Sequence, residues 1–298
     1  MRLLIVGGGG MLGHKLWQRA GASMEAWATL RRMSPAVRAA ELGPADRVID
    51  GVDVRSAGSL EAALDRARPD AVVNCVGVVK QLAGAKDPVE SIAINALFPH
   101  VLARACAARG ARLIHISTDC VFDGTRGGYR EEDRPDAMDL YGRSKALGEP
   151  IGPGCLTMRT SIIGRELGGT AGLVEWFLSR RRATADGYAG AVFSGFTTSV
   201  LADLILRVLA YHPSLEGLYH VSADPIDKLT LLTLLDRAFG AGVAITPRSE
   251  PRIDRSLDSS RFRAAIGFTP PAWETMVDGL AHDQTPYEAL RRLQGETA

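Results

Sequence analysis

The chain has 298 residues, 46% of them hydrophobic and 23% charged, with a formal net charge of +1. That much apolar material at near-zero net charge excludes a disordered chain and leaves no electrostatic footprint for nucleic acid. No long uninterrupted apolar run suits a membrane span, and Met1 leads directly into a strand without a charged leader, so a soluble cytoplasmic protein is expected.

In chain order, Arg2–Val6 is a short apolar run, too continuous for a half-exposed strand and suited to the middle of a parallel sheet. It runs into Gly7-Gly8-Gly9-Gly10-Met11-Leu12-Gly13, whose glycines at 7, 10 and 13 give a GxxGxxG form ahead of an amphipathic helix. Small residues there let the backbone turn, approach a pyrophosphate and pack helix on strand, with the helix N-terminus facing the phosphates. Gly7, Gly10, Met11 and Leu12 are therefore candidate cofactor-binding residues; the competing reading is a flexible glycine turn.

A second strand is expected over residues 25–30, ending at Arg31-Arg32. A carboxylate at this strand end would bind a ribose 2'-hydroxyl, whereas arginine accommodates a 2'-phosphate. Arg31 and Arg32 thus favour NADPH over NADH, the alternative being arginines that open a solvated loop. A third strand over residues 48–54 brings Asp53 and Val54 to the adenine edge. After a helix over 57–67, residues 71–77 form a buried strand ending in Cys75, Val76 and Gly77, where the second ribose would pass. Residues 80–86 read as a loop. Residues 89–109 have helical periodicity with Asn95 inside, a weak candidate for a proton relay.

The fifth strand, 112–117, delivers the stretch around which the chemistry gathers. Thr118 stands at its end, and Tyr141 and Lys145 follow four residues apart, on one face of a helix. A free phenol keeps its proton until about pH 10. An ammonium about 4 Å away, at an effective dielectric near 20, favours phenolate by about 4 kcal/mol. Lys145 is therefore expected to lower the Tyr141 pKa, with desolvation opposing. Thr118 can donate to a carbonyl oxygen becoming alkoxide. Taken alone, such a Tyr–Lys spacing also arises on ordinary surface helices; its position after a strand ending in hydroxyls, downstream of a glycine loop, points to carbonyl–alcohol redox chemistry with Thr118, Tyr141 and Lys145 as catalytic residues.

Beyond this, residues 123–139 read as a surface loop and 155–163 as a buried strand. Helices are expected over 172–182, 199–211, 229–239 and 272–282, and short strands over 217–221 and 243–245. Strands alternating with helices imply an α/β fold, a Rossmann doubly wound parallel sheet with ligands beyond the carboxyl ends of the strands and a smaller C-terminal substrate-binding lobe. The dinucleotide domain would span 1–163, rejoined by about 197–217, with 164–298 mainly the lobe. The four cysteines, Cys75, Cys106, Cys120 and Cys155, form no CxxC and have no paired-histidine spacing, so no metal site is expected.

GGGGMLG, NCVG, STDCVFDG and YGRSKALGE, in this order and spacing, resemble the extended short-chain dehydrogenase/reductases, and within them the dTDP-4-dehydrorhamnose reductase branch. Met158-Arg159-Thr160-Ser161 and the stretch from Leu257 to Phe262 are similar to later landmarks of that branch. The resemblance implies NADPH-dependent reduction of the 4-keto group of a nucleotide-linked 6-deoxysugar, NADH being an alternative donor. Tyr141 would be the proton donor, Lys145 the nicotinamide-ribose ligand and Thr118 the group orienting the keto oxygen. A nucleotide sugar is the implied substrate, with no nucleic acid or membrane partner, and a homodimer is compatible. Two positions depart from the pattern: Cys120 stands where the branch has tyrosine, and Ile162 where it has an aromatic. The sugar-nucleotide 4,6-dehydratases have glutamate at the position of Cys120, which argues against dehydration. The GDP-fucose synthases have a cysteine there, paired with a histidine that Gly164-Arg165-Glu166 does not supply. Two rival readings stay open: an epimerase-reductase using Cys120, and a non-catalytic dinucleotide-binding regulatory subunit.

Overall fold

The computed structural model describes residues 1–79, 87–169 and 171–295, so the loop expected over 80–86 lies outside the described residues. Its frame is a seven-stranded sheet. Five strands run outward from the centre in crossover order: β1 (Arg2–Val6), β2 (Glu25–Thr29), β3 (Val48–Ile49), β4 (Ala71–Asn74) and β5 (Arg112–Thr118). The sixth, β6 (Cys155–Thr160), lies beside β5, and Gly217–His220 joins β6 as the outermost strand. Every pairing in this sheet is parallel.

The continuous apolar strands follow from burial on both faces. Successive residues point to opposite sides of a strand. Leu3 and Ile5 therefore enter one core with Ala71, Val73 and Ile114, while Leu4 and Val6 enter a second with Val72 and Leu113. Helix α1 (Met11–Ala20) and the helix Thr198–Tyr211 cover the first face; the helices Ala57–Ala67 and Phe98–Ala107 cover the second. The first core runs on into the C-terminal half through Leu231, Leu232, Leu235, Phe262 and Met276.

Several sequence expectations are corrected. The third strand is only two residues long, because Gly51 takes a left-handed φ of +77° that no regular strand tolerates. The chain nevertheless keeps beside β2, with Val52 N–H donating to the Leu30 carbonyl at 2.9 Å. The helix over 89–109 is divided into Pro88–Ser91, a π-helical stretch Ile92–Leu97 and Phe98–Ala107. Pro99 explains this: it lacks the N–H that the Asn95 carbonyl would accept in an α-helix. The strand over 155–163 breaks at Ser161, where the chain changes partner and Ile162–Ile163 pairs with Phe196–Thr197 instead. The segment 123–139 is not simply surface: Tyr129 is buried, stacked on Phe122 at 4.1 Å and bonded to the 256–258 backbone. The C-terminal half also holds short strands that period-2 alternation does not reveal, among them Thr184–Tyr188, paired with Ala244–Arg248, and Ala191–Phe193.

Candidate active site

Two glycines of the loop's spacing, Gly7 and Gly13, each have a separate steric reason. Gly7 has φ +90°, and a Cβ there would sit 2.8 Å from Val76 Cγ2. A Cβ on Gly13 would lie 2.1 Å from the Gly7 carbonyl oxygen, so helix and strand meet only without it. At Gly10, which starts α1, a Cβ would meet only the Gly7 carbonyl oxygen at 3.5 Å, an ordinary contact that makes no demand for glycine. That helix has no side-chain cap and no acid in its first turn, so its first N–H groups, with those of Met11 and Leu12 among them, are free to meet an anion. A pyrophosphate fits this cradle.

Past the end of β2, Arg31 and Arg32 are exposed. Asp53 stands in the field of Arg31, but its carboxylate is held by Arg55 at 2.7 Å, chiefly through that guanidinium and the Arg55 N–H, which bring its pKa down to about 2. Beyond β4, Cys75, Val76 and Gly77 pass under the loop. Asn95 secures this segment: its Oδ1 accepts from Val78 N–H at 2.9 Å and its Nδ2 donates to the Val78 carbonyl at 3.1 Å and to Ser144 Oγ at 3.3 Å. Asn95 is thus a clamp between the Gly77 segment and the helix that carries the tyrosine.

That helix, Leu140–Leu147, is started by Asp139, whose carboxylate accepts from Gly142 N–H at 2.8 Å. It is pressed against its neighbours at two glycines. A Cβ on Gly142 would stand 2.2 Å from the Cys120 carbonyl oxygen, and one on Gly148 would stand 1.8 Å from that of Asn95, the carbonyl freed by Pro99. Glu149 then bonds Ser117 Oγ at 2.6 Å and forms a buried pair with Arg159 at 2.8 Å, tying the helix end to β5 and β6.

Thr118 stands beside the Tyr141 phenol, and Lys145 follows one turn later on the same helix. Lys145 Nζ donates to the Ile116 carbonyl at 2.8 Å and lies 3.9 Å from where a Cβ on Gly77 would be. Thr118 Oγ1 accepts from Cys120 N–H at 3.1 Å and donates to Asp119 at 3.1 Å, and it is near enough to the Tyr141 phenol to lower its pKa. The expected sign at Tyr141 is reversed. Burial raises its pKa, Cys120 adds to this, and only Thr118 lowers it. Burial outweighs the expected effect of Lys145, whose ammonium is turned to the Ile116 carbonyl and is itself brought down to about 8 by desolvation. Burial likewise pushes the Cys120 thiol up to about 12.

Asp119, which sequence reasoning alone misses, is buried beneath Thr118 and held protonated more tightly than an ordinary carboxyl, first by burial. His115 is missed as well: it is fully buried beside Lys145, bonded to Asn74 at 3.1 Å through Nδ1, and its Nε2 has no partner among the described residues. Neither carries a spacing signal. The π-helical step was available from the Asn95–Pro99 interval.

A parallel doubly wound sheet, a glycine loop at the first crossover and a Tyr–Lys helix over the end of β5 define a dinucleotide-binding reductase of the short-chain type. The chain belongs to the family described by the RmlD substrate binding domain, whose model matches residues 1–285. It is 31% identical to the dTDP-4-dehydrorhamnose reductase of Mycobacterium tuberculosis, across 90% of this chain and 88% of the relative. Among solved structures, a hypothetical dTDP-4-dehydrorhamnose reductase from Sulfolobus tokodaii superimposes with a TM-score of 0.76 at 26% identity, covering 92% of this chain and 98% of that one. The dTDP-4-dehydrorhamnose reductase of Bacillus anthracis, in complex with NADP, shares the fold with a TM-score of 0.78 at 22% identity over 94% and 98%.

Proposed function

We propose that this protein uses NADPH to reduce the 4-keto group of a nucleotide-linked 6-deoxysugar, as a step in activated-sugar biosynthesis. One observation carries the reading: a Cβ on Gly7 would lie 2.8 Å from Val76 Cγ2, and one on the next residue, Gly77, would lie 3.9 Å from Lys145 Nζ, so the segment after β4 passes close to both the glycine loop and the helix that carries Tyr141. The family and the named relative point to the sugar class.

In this reading Gly7, Gly10, Met11 and Leu12 hold the pyrophosphate, Arg31 and Arg32 the 2'-phosphate, Asp53 and Val54 the adenine side, and Cys75, Val76 and Gly77 the ribose path. Lys145 releases the Ile116 carbonyl for the nicotinamide ribose. When bound, NADPH supplies the hydride that reaches the keto carbon. Thr118 turns its proton from Asp119 to the keto oxygen, and Tyr141 protonates the alkoxide as it forms. The raised phenol pKa suits a proton donor, because an alkoxide is the stronger base and a buried phenol arrives protonated. Tyr141 here acts as an acid, with no need of a phenolate sharpened by Lys145.

The chain divides in this proposal into a dinucleotide unit of 1–163, rejoined by about 197–217, and a lobe within 164–298 that grips the nucleotide sugar. Exposed Val89, Ile92, Leu97 and Leu147 lie on adjoining helical stretches and support a homodimer. Free cysteines support a cytoplasmic setting. Among the described residues no helix is long and apolar enough to cross a membrane.

The Cys120 epimerase reading is the weaker, since a thiol at about 12 supplies almost no thiolate near neutrality. The test is NADPH oxidation against a panel of 4-keto and 3-keto sugar nucleotides, with NADH alongside. Turnover with a 4-keto-6-deoxy substrate and NADPH is expected; NADPH binding without turnover on any of them would leave the regulatory-subunit reading standing.

A further inference from the structure

The face of α1 turned away from the crevice is polar yet buried. His14 is fully buried and Lys15 nearly so. Their partners come from the far end of the chain. Lys15 Nζ pairs with Asp283 at 2.6 Å and donates to Thr285 Oγ1 at 3.2 Å, and Gln18 Nε2 donates to the same hydroxyl at 3.2 Å. Tyr287 lies between two cations, with Lys15 5.5 Å and the Arg165 guanidinium 4.7 Å from its ring centre. Arg165 bonds Glu175 at 2.6 Å and Glu288 at 2.7 Å. Residues 283–288 are thus fastened to the phosphate-binding helix and to the loop after β6.

One strand of this network reaches the glycine loop. His14 Nδ1 stands 2.9 Å from the Gly10 carbonyl oxygen, which only accepts, so the ring proton is on Nδ1. Nε2 is then an acceptor, and the Tyr287 hydroxyl donates to it at 2.9 Å, the shorter of that hydroxyl's two contacts, Asp283 Oδ2 standing at 3.5 Å. Desolvation keeps the ring neutral, with a pKa of about 4, which preserves this tautomer. Gly10 is therefore held twice by one residue, since its carbonyl also accepts the His14 backbone N–H at 3.0 Å. A peptide group is planar, with C=O and the next N–H pointing opposite ways. Fixing the Gly10 carbonyl toward His14 fixes the Met11 N–H toward the crevice.

We propose that Tyr287, carried by the strap 283–288, sets dinucleotide affinity through His14, a positioning residue that aims the first N–H groups of α1 at the pyrophosphate. This rests on the reading of Gly7–Gly13 as the cofactor cradle. Losing one such neutral hydrogen bond is expected to weaken binding about fivefold.

The experiment is NADPH titration by nucleotide fluorescence on the full chain, with steady-state kinetics beside it. Tyr287→Phe and His14→Leu should each raise the NADPH dissociation constant about fivefold, with kcat at saturating NADPH and the KM for the sugar nucleotide within about twofold. His14→Asn, whose amide nitrogen takes the place of Nδ1, should restore affinity to within about twofold of wild type. Thr285→Val, which loosens the strap at Lys15 and Gln18 without touching His14, should lower the melting temperature and leave NADPH affinity unchanged. The proposal is overturned if His14→Leu binds NADPH like wild type, if His14→Asn is as weak as His14→Leu, or if Thr285→Val weakens NADPH as much as Tyr287→Phe. Wild-type protein that binds no NADPH would instead overturn the cofactor reading.

Discussion

The two sides of α1 are held in place by different means. On the crevice side, backbone meets backbone: Gly13 against Gly7, and across the crevice Gly142 against Cys120 and Gly148 against Asn95. On the other side, long polar side chains meet, His14 with Tyr287 and Lys15 with Asp283. A backbone contact admits only glycine, and so leaves a spaced mark in the sequence. A side-chain contact between residues 273 apart, such as His14 and Tyr287, leaves none.

The sharpest test of the crevice side is Tyr141→Phe, which removes a proton and no contact of the backbone. Turnover should fall by about 10²–10⁴, the range for a positioned general acid. NADPH titration should show the cofactor still bound. Turnover within a few-fold of wild type would remove Tyr141 from the reaction.

Acid should act on the side-chain-held regions. His14 and His220 are brought down to about 4 by burial, and His115 lies well below its ordinary range. In each case the folded pKa is below the unfolded value near 6.5, so the unfolded chain binds more protons between the two. Stability is then full above about pH 6.5 and is lost as pH falls toward 4, by up to about 1.4 kcal/mol per pH unit for each histidine. Asp119, raised by burial, opposes this in part. Urea unfolding at pH 5 should show a lower stability than at pH 7, by about 2 kcal/mol for each histidine that stays neutral in the fold, less what Asp119 returns. A midpoint that does not move would mean these histidines are solvated.

Gly142→Ala probes the backbone contact directly. The added methyl would stand 2.2 Å from the Cys120 carbonyl oxygen, and neither backbone can yield without moving the helix off β5. A stability loss of about 1–3 kcal/mol is expected from overpacking. Turnover should drop further than stability explains, because the same shift separates Tyr141 from Thr118; soluble protein with full activity would disprove the contact.

The same division decides what is legible in the sequence. Gly7 and Gly13 in the loop and Gly142 and Gly148 around the Tyr141 helix stand out because close backbone packing requires glycine there, and the strand that delivers Thr118 stands out as a continuous apolar run. The left-handed Gly51 that shortens β3, and the partner change at Ser161 that splits residues 155–163, are tertiary events with no local period. The sign of the Tyr141 shift is hidden because the sequence shows that a lysine stands four residues on, but not that it turns to the Ile116 carbonyl or that the phenol is buried. His14 and Asp119 escape notice for the same reason.

The smallest effect belongs to a residue held by neither means. Arg31 is exposed, and its field reaches Asp53, whose carboxylate Arg55 already occupies. Its guanidinium is therefore free to meet a 2'-phosphate, but in high dielectric, where an exposed pair is worth about 0.2–1 kcal/mol. Arg31→Ala should raise the KM for NADPH about twofold to fivefold and leave that for NADH unchanged, with the difference shrinking as salt is added. Equal losses for both cofactors would place Arg31 on the adenine or the pyrophosphate instead, and would move the choice of NADPH to Arg32 or to the loop backbone.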